Sequence, residues 1–346
     1  MSVGSVGIFS FQVSPIDSLP PLRLRAMMAE AALQEVDLRF FSTKDCDLGN
    51  TRVMSRRWAR GRWTEEPADL PSLILYINRP RSPEEEGVDR WIRARARVVD
   101  FRDRDKLEVD RLVQSSPFSQ YAIPGERLDP DRAEAQLSGW LAGGGIVVKA
   151  SDGMRGIGIQ FAIRDGETWS VIRDDVRWQG SATGAVARVL KTIRGRMSYR
   201  PYLVQRLIES RDELGQPVAI RVDIVRTPGG GWDLARMAGR IAAQGKLVSN
   251  GARGGAYMPI ASFLATRKVR PAGDIEAEAL ALARGVADIL ITRPGSEDIY
   301  ECGVDLAIDP QDRLWFIEAN PRPQALGAQH ERAILVIAYL KALASA

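Results

Sequence analysis

Residues 301–324 read ECGVDLAID, then PQDR, then LWFIEANPRPQ, and the reading of this stretch decides the fold. A four-residue turn over Pro310–Arg313 makes it a β-hairpin, pairs Asp309 with Leu314 and carries Asp305 onto Glu318. Side chains alternate along strands, so Val304, Leu306 and Ile308 face one way, while Asp305 shares the other face with Glu318 and Asn320. Two carboxylates directly opposite each other repel. A hard cation removes that penalty, and three oxygen-bearing side chains suit Mg²⁺ that also takes phosphate oxygens. The hairpin points to an ATP-dependent enzyme.

The composition narrows the field. At 346 residues the chain is too long for one small core and implies two or three subdomains. No apolar run approaches the roughly 20 residues of a membrane span, and MSVGSVGIFSF lacks the pattern of a signal peptide. Cys46 and Cys302 form no CxxC pair, so reduced thiols and a cytoplasmic setting are expected. His330 is the sole histidine, which argues against a histidine-rich zinc site. Only seven of the 48 basic residues are lysines, so each placed lysine is informative. Arginine and tryptophan mix in Thr51–Trp63 and Trp91–Arg97. Such clusters can hold a polyanion, but arginines paired with nearby acids on a solvated face give the same pattern, and nucleic acid is the less favoured partner.

Working outward from the hairpin, Val6–Phe9, a helix from about Leu22 to Gln34, Val36–Ser42 and Leu73–Ile77 give a small N-terminal α/β unit. A helix over Lys106–Gln114 follows, then a strand over Ile146–Ala150. Tyr202–Ile208 is a further strand. Val218–Arg226 and Trp232–Ala242 form a hairpin around PGGG. Glu276–Ile291 and Glu331–Leu343 are helices.

Three further segments carry chemistry. In VVKASDGMRGIG (Val147–Gly158) a strand ends in Lys149 and leads into a loop with Gly153, Gly156 and Gly158. Glycines let backbone N–H groups approach phosphate oxygens, and the ammonium compensates their charge; a glycine-rich hairpin turn alone would read alike. YLVQRLIES (Tyr202–Ser210) can offer backbone groups to an adenine edge, or be a plain core strand. SNGARGG supplies Asn250 and Arg253 behind a strand carrying Arg240, and such arginines stabilise developing charge in phosphoryl transfer; a structural turn is the bland alternative.

Taken in order, the lysine strand with its glycine loop, the hinge strand, the SN..RGG loop and the GVDL...EAN hairpin resemble the ATP-grasp superfamily. SNGARGG, GVDLAID and FIEANPRP are similar to the ligases that add glutamate to a ribosomal protein or act on a lysine-biosynthesis carrier protein. VGIF, DFRDRDKLEVDRL and IRVDIVRTPGGGWDLARMAGRI resemble the endospore coat-associated ATP-grasp family. The resemblance covers Val98–Leu326. It implies an α/β (α+β) ATP-grasp fold, with an N-terminal α/β domain over 1–100 and two subdomains over 101–200 and 201–346 that clamp ATP.

The resemblance also implies roles for single residues. Asp305, Glu318 and Asn320 would bind one or two Mg²⁺ ions. Lys149 would touch the ATP phosphates beneath the loop Ser151–Gly158, with Lys106 as a second phosphate lysine. The family often places that lysine later in the helix, where this chain has Asp110 and Arg111. Gln205 stands where glutamate is common and would accept from the adenine amino group; backbone groups of Arg206 and Ile208 would read the rest of the base. Arg240, Asn250 and Arg253 would serve catalysis. The strand at Arg221 reads VAIR, where the coat-associated family tends to have an aspartate before the arginine, which leaves Arg221 without an assigned role.

The implied activity is ATP-dependent carboxylate–amine ligation through an acyl phosphate, on an amino acid, peptide or acidic metabolite. A kinase acting on a small molecule and a nucleotide-binding coat or scaffold protein are the alternatives. A homodimer is the default assembly.

Overall fold

The computed structural model describes residues 5–100, 106–153, 157–174, 176–247, 254–267, 269–293, 298–321, 323 and 327–345. Among these, no helix is long and apolar enough to cross a membrane. Three sheets organise the described residues.

The first sheet contains β1 (Val6–Ser10), β2 (Leu38–Ser42), β3 (Cys46–Asp47), β4 (Arg52–Ala59), β5 (Arg62–Asp69), β6 (Leu73–Tyr76) and β7 (Arg97–Val99). Strands β2, β1, β6 and β7 lie side by side and parallel. Parallel strands are covered on both faces, which is why β1 and β6 are buried throughout. Phe9, Ile74 and Tyr76 pack on one side against Val88, Trp91 and Ile92 of the helix Pro83–Arg93. On the other side, Ile8, Leu38, Phe40 and Leu75 meet Leu24 and Met27 of the helix Pro21–Leu33. The same core takes Val336, Ile337 and Leu340 from Gln329–Ser345, the last helix of the chain. Lys341 Nζ donates to the carbonyl of Gln34 at 2.6 Å, fastening that helix at its far end.

The Arg/Trp-rich segment is the hairpin β4–β5, turned by Arg60 and Gly61, both at positive φ. Its arginines face acids: Arg56 pairs with Glu65 at 2.8 Å, and Arg57 lies 3.5 Å from Asp37. Trp63 packs edge-on against Phe40. Trp91 is buried at the end of its helix and donates to the Leu48 carbonyl.

The second sheet is antiparallel, built from β8 (Gly125–Arg127), β9 (Ile146–Ala150), β10 (Gln160–Asp165), β11 (Thr168–Arg173), β12 (Val176–Gly180) and β13 (Tyr202–Arg206). Ile146, Val148, Tyr202 and Val204 pack on the helices Ala133–Ala142 and Ala182–Ile193. Alternation then sends Val147, Lys149 and Gln205 to the open face.

The third sheet orders β14 (Val218–Arg226), β15 (Trp232–Ile241), β16 (Ala256–Pro259), β17 (Glu301–Ile308) and β18 (Leu314–Asn320) as β16-β15-β14-β17-β18. Ile220, Val222, Ile224, Val304, Leu306 and Ile308 form its core face against the helix Ala272–Ile291. Val109 and Val113 of the helix Lys106–Gln114 join the same core. The opposite face carries charge, and a cleft opens between it and the open face of the second sheet.

Candidate functional site

Asp305 stands directly opposite Glu318, as the sequence suggested, but the hairpin reaches that register by another route. Leu314 pairs with Ile308, not with Asp309, and the turn takes in Asp309. A β-bulge at Ile317 then shifts the register by one, so that Asp305 meets Glu318 and Gly303 meets Asn320. The bulge answers a conflict in the strand itself. Leu314 and Phe316 belong to the core, and strict alternation would send Glu318 to the core as well. One extra residue re-aims the glutamate, so that Ile317 and Glu318 both line the cleft. The Asp309 carboxylate fixes the turn by accepting from the amides of Gln311 and Arg313 and from the Trp315 indole.

Cations hold the two carboxylates. Arg221, directly across from Asp305 on β14, makes a two-pronged contact of 2.7 and 2.9 Å, and Arg240 adds a third bond at 2.8 Å. Burial pushes the Asp305 pKa up, and the two guanidinium groups oppose it. Glu318 accepts from Lys106 Nζ at 2.6 Å and from the Asn320 amide at 3.1 Å. Burial works against ionisation there too, but the Lys106 ammonium prevails and pulls the carboxyl down to about 2. Glu318 is therefore an anion across the physiological range.

Among the described residues no three His, Cys, Asp or Glu side chains gather as a metal cluster. The donor set is two carboxylates and an amide, all hard oxygen ligands, and it fits a Mg²⁺ ion that completes its shell with phosphate and water.

The charged face continues along β14 and β15. Asp223 sits across from Arg236, which binds it at 2.9 Å, and Arg221 Nη1 lies 3.5 Å from the other Asp223 oxygen. Tyr257 lies beneath both Arg236 and Arg240 and accepts from the latter. Gly303 makes room for this network, since a Cβ there would stand 2.1 Å from Arg221 Nη1 and 2.8 Å from Asp223 Oδ1. Gly303→Ala is expected to expel the Arg221 guanidinium from Asp305 and destabilise the fold by about 1–3 kcal/mol. Urea unfolding checks it; an unchanged midpoint would show that the guanidinium can move without loss.

On the opposite wall, Lys149 is buried and points into the cleft beside Asp110. Burial lowers its pKa, and no hydrogen bond to its ammonium forms among the described residues. The Gln205 amide nitrogen donates to Asp110 at 3.1 Å. The strand ends at Arg206, whose N–H is committed to the Pro124 carbonyl, leaving only its carbonyl for a base. The N–H of Ile208 has no partner among the described residues, while its carbonyl accepts from Ser210. Ser151 is buried and its N–H donates to Pro201; the Gly153 N–H donates to Ala150. Gly158 adopts a positive φ, as a loop glycine does. Gly156, Asn250 and Arg253 lie outside the described residues.

The cleft thus gathers Lys106, Lys149, Gln205, Arg206, Ile208, Arg240, Asp305 and Glu318. Ile123, Ile159, Phe161, Ile163, Ala307 and Ile317 give it apolar walls. The sequence reading left Arg221 and Asp110 without a role and missed Asp223 and Arg236. Arg221 and Asp223 carried a signal, since charges at alternate positions of IRVDIV inside an apolar strand mark a charged face. Asp110 gave none, because a single acid in an amphipathic helix looks like solvent-facing polarity.

A family model described as YheC/D like ATP-grasp matches residues 97–340. The chain is 23% identical over 225 residues to the endospore coat-associated protein YheD of Bacillus subtilis (strain 168), an alignment taking in 63% of this chain and 48% of that protein. It therefore spans about half the length of the curated relative it matches. Among solved structures, D-alanyl-alanine synthetase A from Vibrio cholerae O1 biovar eltor str. N16961 superposes with a TM-score of 0.53 at 10% identity, over 99% of this chain and 97% of that one. A RiPP-associated ATP-grasp ligase of Chryseobacterium gregarium, solved with ADP and a leader and core peptide, gives 0.51 at 11% identity, over 97% and 96%. At such identities the likeness is one of fold.

Proposed function

Since the chain belongs to the YheC/D-like ATP-grasp family, we propose that it is an ADP-forming carboxylate–amine ligase. One observation carries the reading: two lysines and a facing pair of carboxylates line a single cleft that also offers an apolar wall of Ile123, Ile159, Phe161 and Ile163. Phosphates need the first, a metal the second, and a purine the third.

Mg²⁺ on Asp305, Glu318 and Asn320 would neutralise charge on the ATP phosphates. Lys149 and Lys106 bind phosphate oxygens, and Lys106 gives up Glu318 in doing so. Arg221 holds the Asp305 carboxylate in place, and Arg240 steadies negative charge on the transferring phosphoryl group. Asn250 and Arg253 keep the phosphate- or substrate-holding role that the resemblance gives them. A substrate carboxylate attacks the γ-phosphorus and ADP departs, leaving an acyl phosphate. An amine then attacks the acyl carbon and expels phosphate, forming the amide. The chain's own part is to align these groups and keep water from the acyl phosphate. The donor is an amino acid, peptide or acidic metabolite, and free Cys46 and Cys302 fit work in the cytoplasm.

The test is ADP release from Mg²⁺-ATP across a panel of amino acids and acidic peptides, with hydroxylamine present. Acid-dependent ADP accompanied by a hydroxamate is expected. A stable phosphorylated product in place of the hydroxamate would make the protein a kinase. ATP binding with neither product across the panel would favour a nucleotide-binding scaffold.

A further inference from the structure

We propose that Asp110 sets the choice of nucleotide base by fixing which end of the Gln205 amide faces the cleft, so that the site reads the 6-amino group of adenine. The inference rests on the ATP reading above and adds a residue to it. Gln205 lines the cleft, and its amide nitrogen donates to Asp110 Oδ2 at 3.1 Å, with both side chains buried. A carboxylate beside the Lys149 ammonium can only accept, so the NH₂ end of the amide must turn toward it. That leaves Gln205 Oε1 as the end presented to the cleft, and it accepts no hydrogen bond among the described residues.

The packing keeps the side chain in this place. Gly125 is the cross-strand partner of Gln205, and a Cβ there would stand 2.6 Å from Gln205 Cγ. Asp110 lies one turn after Lys106 on the helix Lys106–Gln114, so one helix face serves Glu318 with a cation and Gln205 with an anion. An outward carbonyl oxygen accepts from the 6-amino group of adenine. It opposes the 6-oxo group of guanine or hypoxanthine, where two acceptors would meet and one buried polar group would go unpaired. Asp110 is a positioning residue, because it acts through Gln205.

The test is equilibrium binding of ATP and inosine triphosphate, which differ at position 6, to the full chain with Mg²⁺. The wild-type protein is expected to prefer ATP. Asp110→Asn lets the glutamine amide turn over, weakening ATP, strengthening inosine triphosphate and contracting their ratio by about tenfold. Gln205→Glu sets two acids against each other and should weaken ATP by about tenfold. Adding Asp110→Asn to that variant restores most of the loss, since asparagine can donate to the new carboxylate. Equal shifts for both nucleotides in Asp110→Asn, or no recovery in the double variant, would overturn the proposal. Wild-type binding of ATP without preference over inosine triphosphate would sink this inference and leave the ATP reading standing. Binding of neither would sink both.

Discussion

Glu318→Ala is expected to lower ligase turnover by at least about 10³-fold, roughly 4 kcal/mol of transition-state stabilisation, while the protein stays folded. Among the described residues, Glu318 is the carboxylate of the pair with no guanidinium partner, held by Lys106 and Asn320. Exchanging one lysine for a metal ion is a small rearrangement, which makes Glu318 the readier of the two acids to bind it. The fold should survive for a related reason. The Lys106 contact is partly exposed and contributes on the order of 1 kcal/mol or less, and its loss is offset by relief of repulsion with Asp305. Magnesium dependence of ATP binding, followed by calorimetry, reads the same role without a known substrate and should vanish in the variant. Turnover and Mg²⁺ dependence both near the wild-type level would remove Glu318 from the metal site.

Arg332→Met is expected to destabilise the fold by about 3–5 kcal/mol at pH 7. Arg332, on the last helix, forms a two-pronged pair with Glu301 of β17, and both side chains are almost fully buried. Burial pushes the Glu301 pKa up, but the pull of Arg332 is greater and the net shift is downward. A carboxyl depressed in the folded state contributes stability above its ordinary pKa and loses it as pH falls through the folded value. Without Arg332, burial meets only the weaker pulls of Arg23 and Tyr300, so the folded pKa rises and the variant is weakest where Glu301 must be charged. The gap between variant and wild type should therefore narrow as pH drops from 7 toward 4, in denaturant titrations at each pH. A gap that stays constant would mean that lost packing, and not the stranded charge, sets the effect.

Much of this architecture is legible in the chain because apolar alternation is strong where a sheet has one covered face. The helix over Lys106–Gln114 and the strand over Ile146–Ala150 have the bounds that their patterns imply. Val304, Leu306 and Ile308 face the core as alternation requires. The acid pair was legible too, although the turn was not. Counting back from Pro310 gives the right partner for Asp305 and the wrong one for Leu314, because a bulge is written in the clash between core and cleft and in no residue type. The Arg/Trp clusters were ambiguous for a different reason. Whether an arginine is free depends on a neighbour supplied by the fold, such as Glu65 for Arg56 or Asp37 for Arg57. Asp110 and Gln205 lie 95 positions apart and meet only because a helix crosses the end of a strand.

The last helix, Gln329–Ser345, supplies part of the core beneath β1, β2 and β6. Protein synthesis runs from the N-terminus, so the first sheet leaves the ribosome long before its cover does. At roughly 5–20 residues per second the delay is on the order of ten seconds or more, during which one face made by Ile8, Phe40 and Leu75 is only half covered. Completion of the first sheet thus waits on a helix made long after it, and a chain stalled or terminated before that helix would present the apolar face to chaperones and proteases.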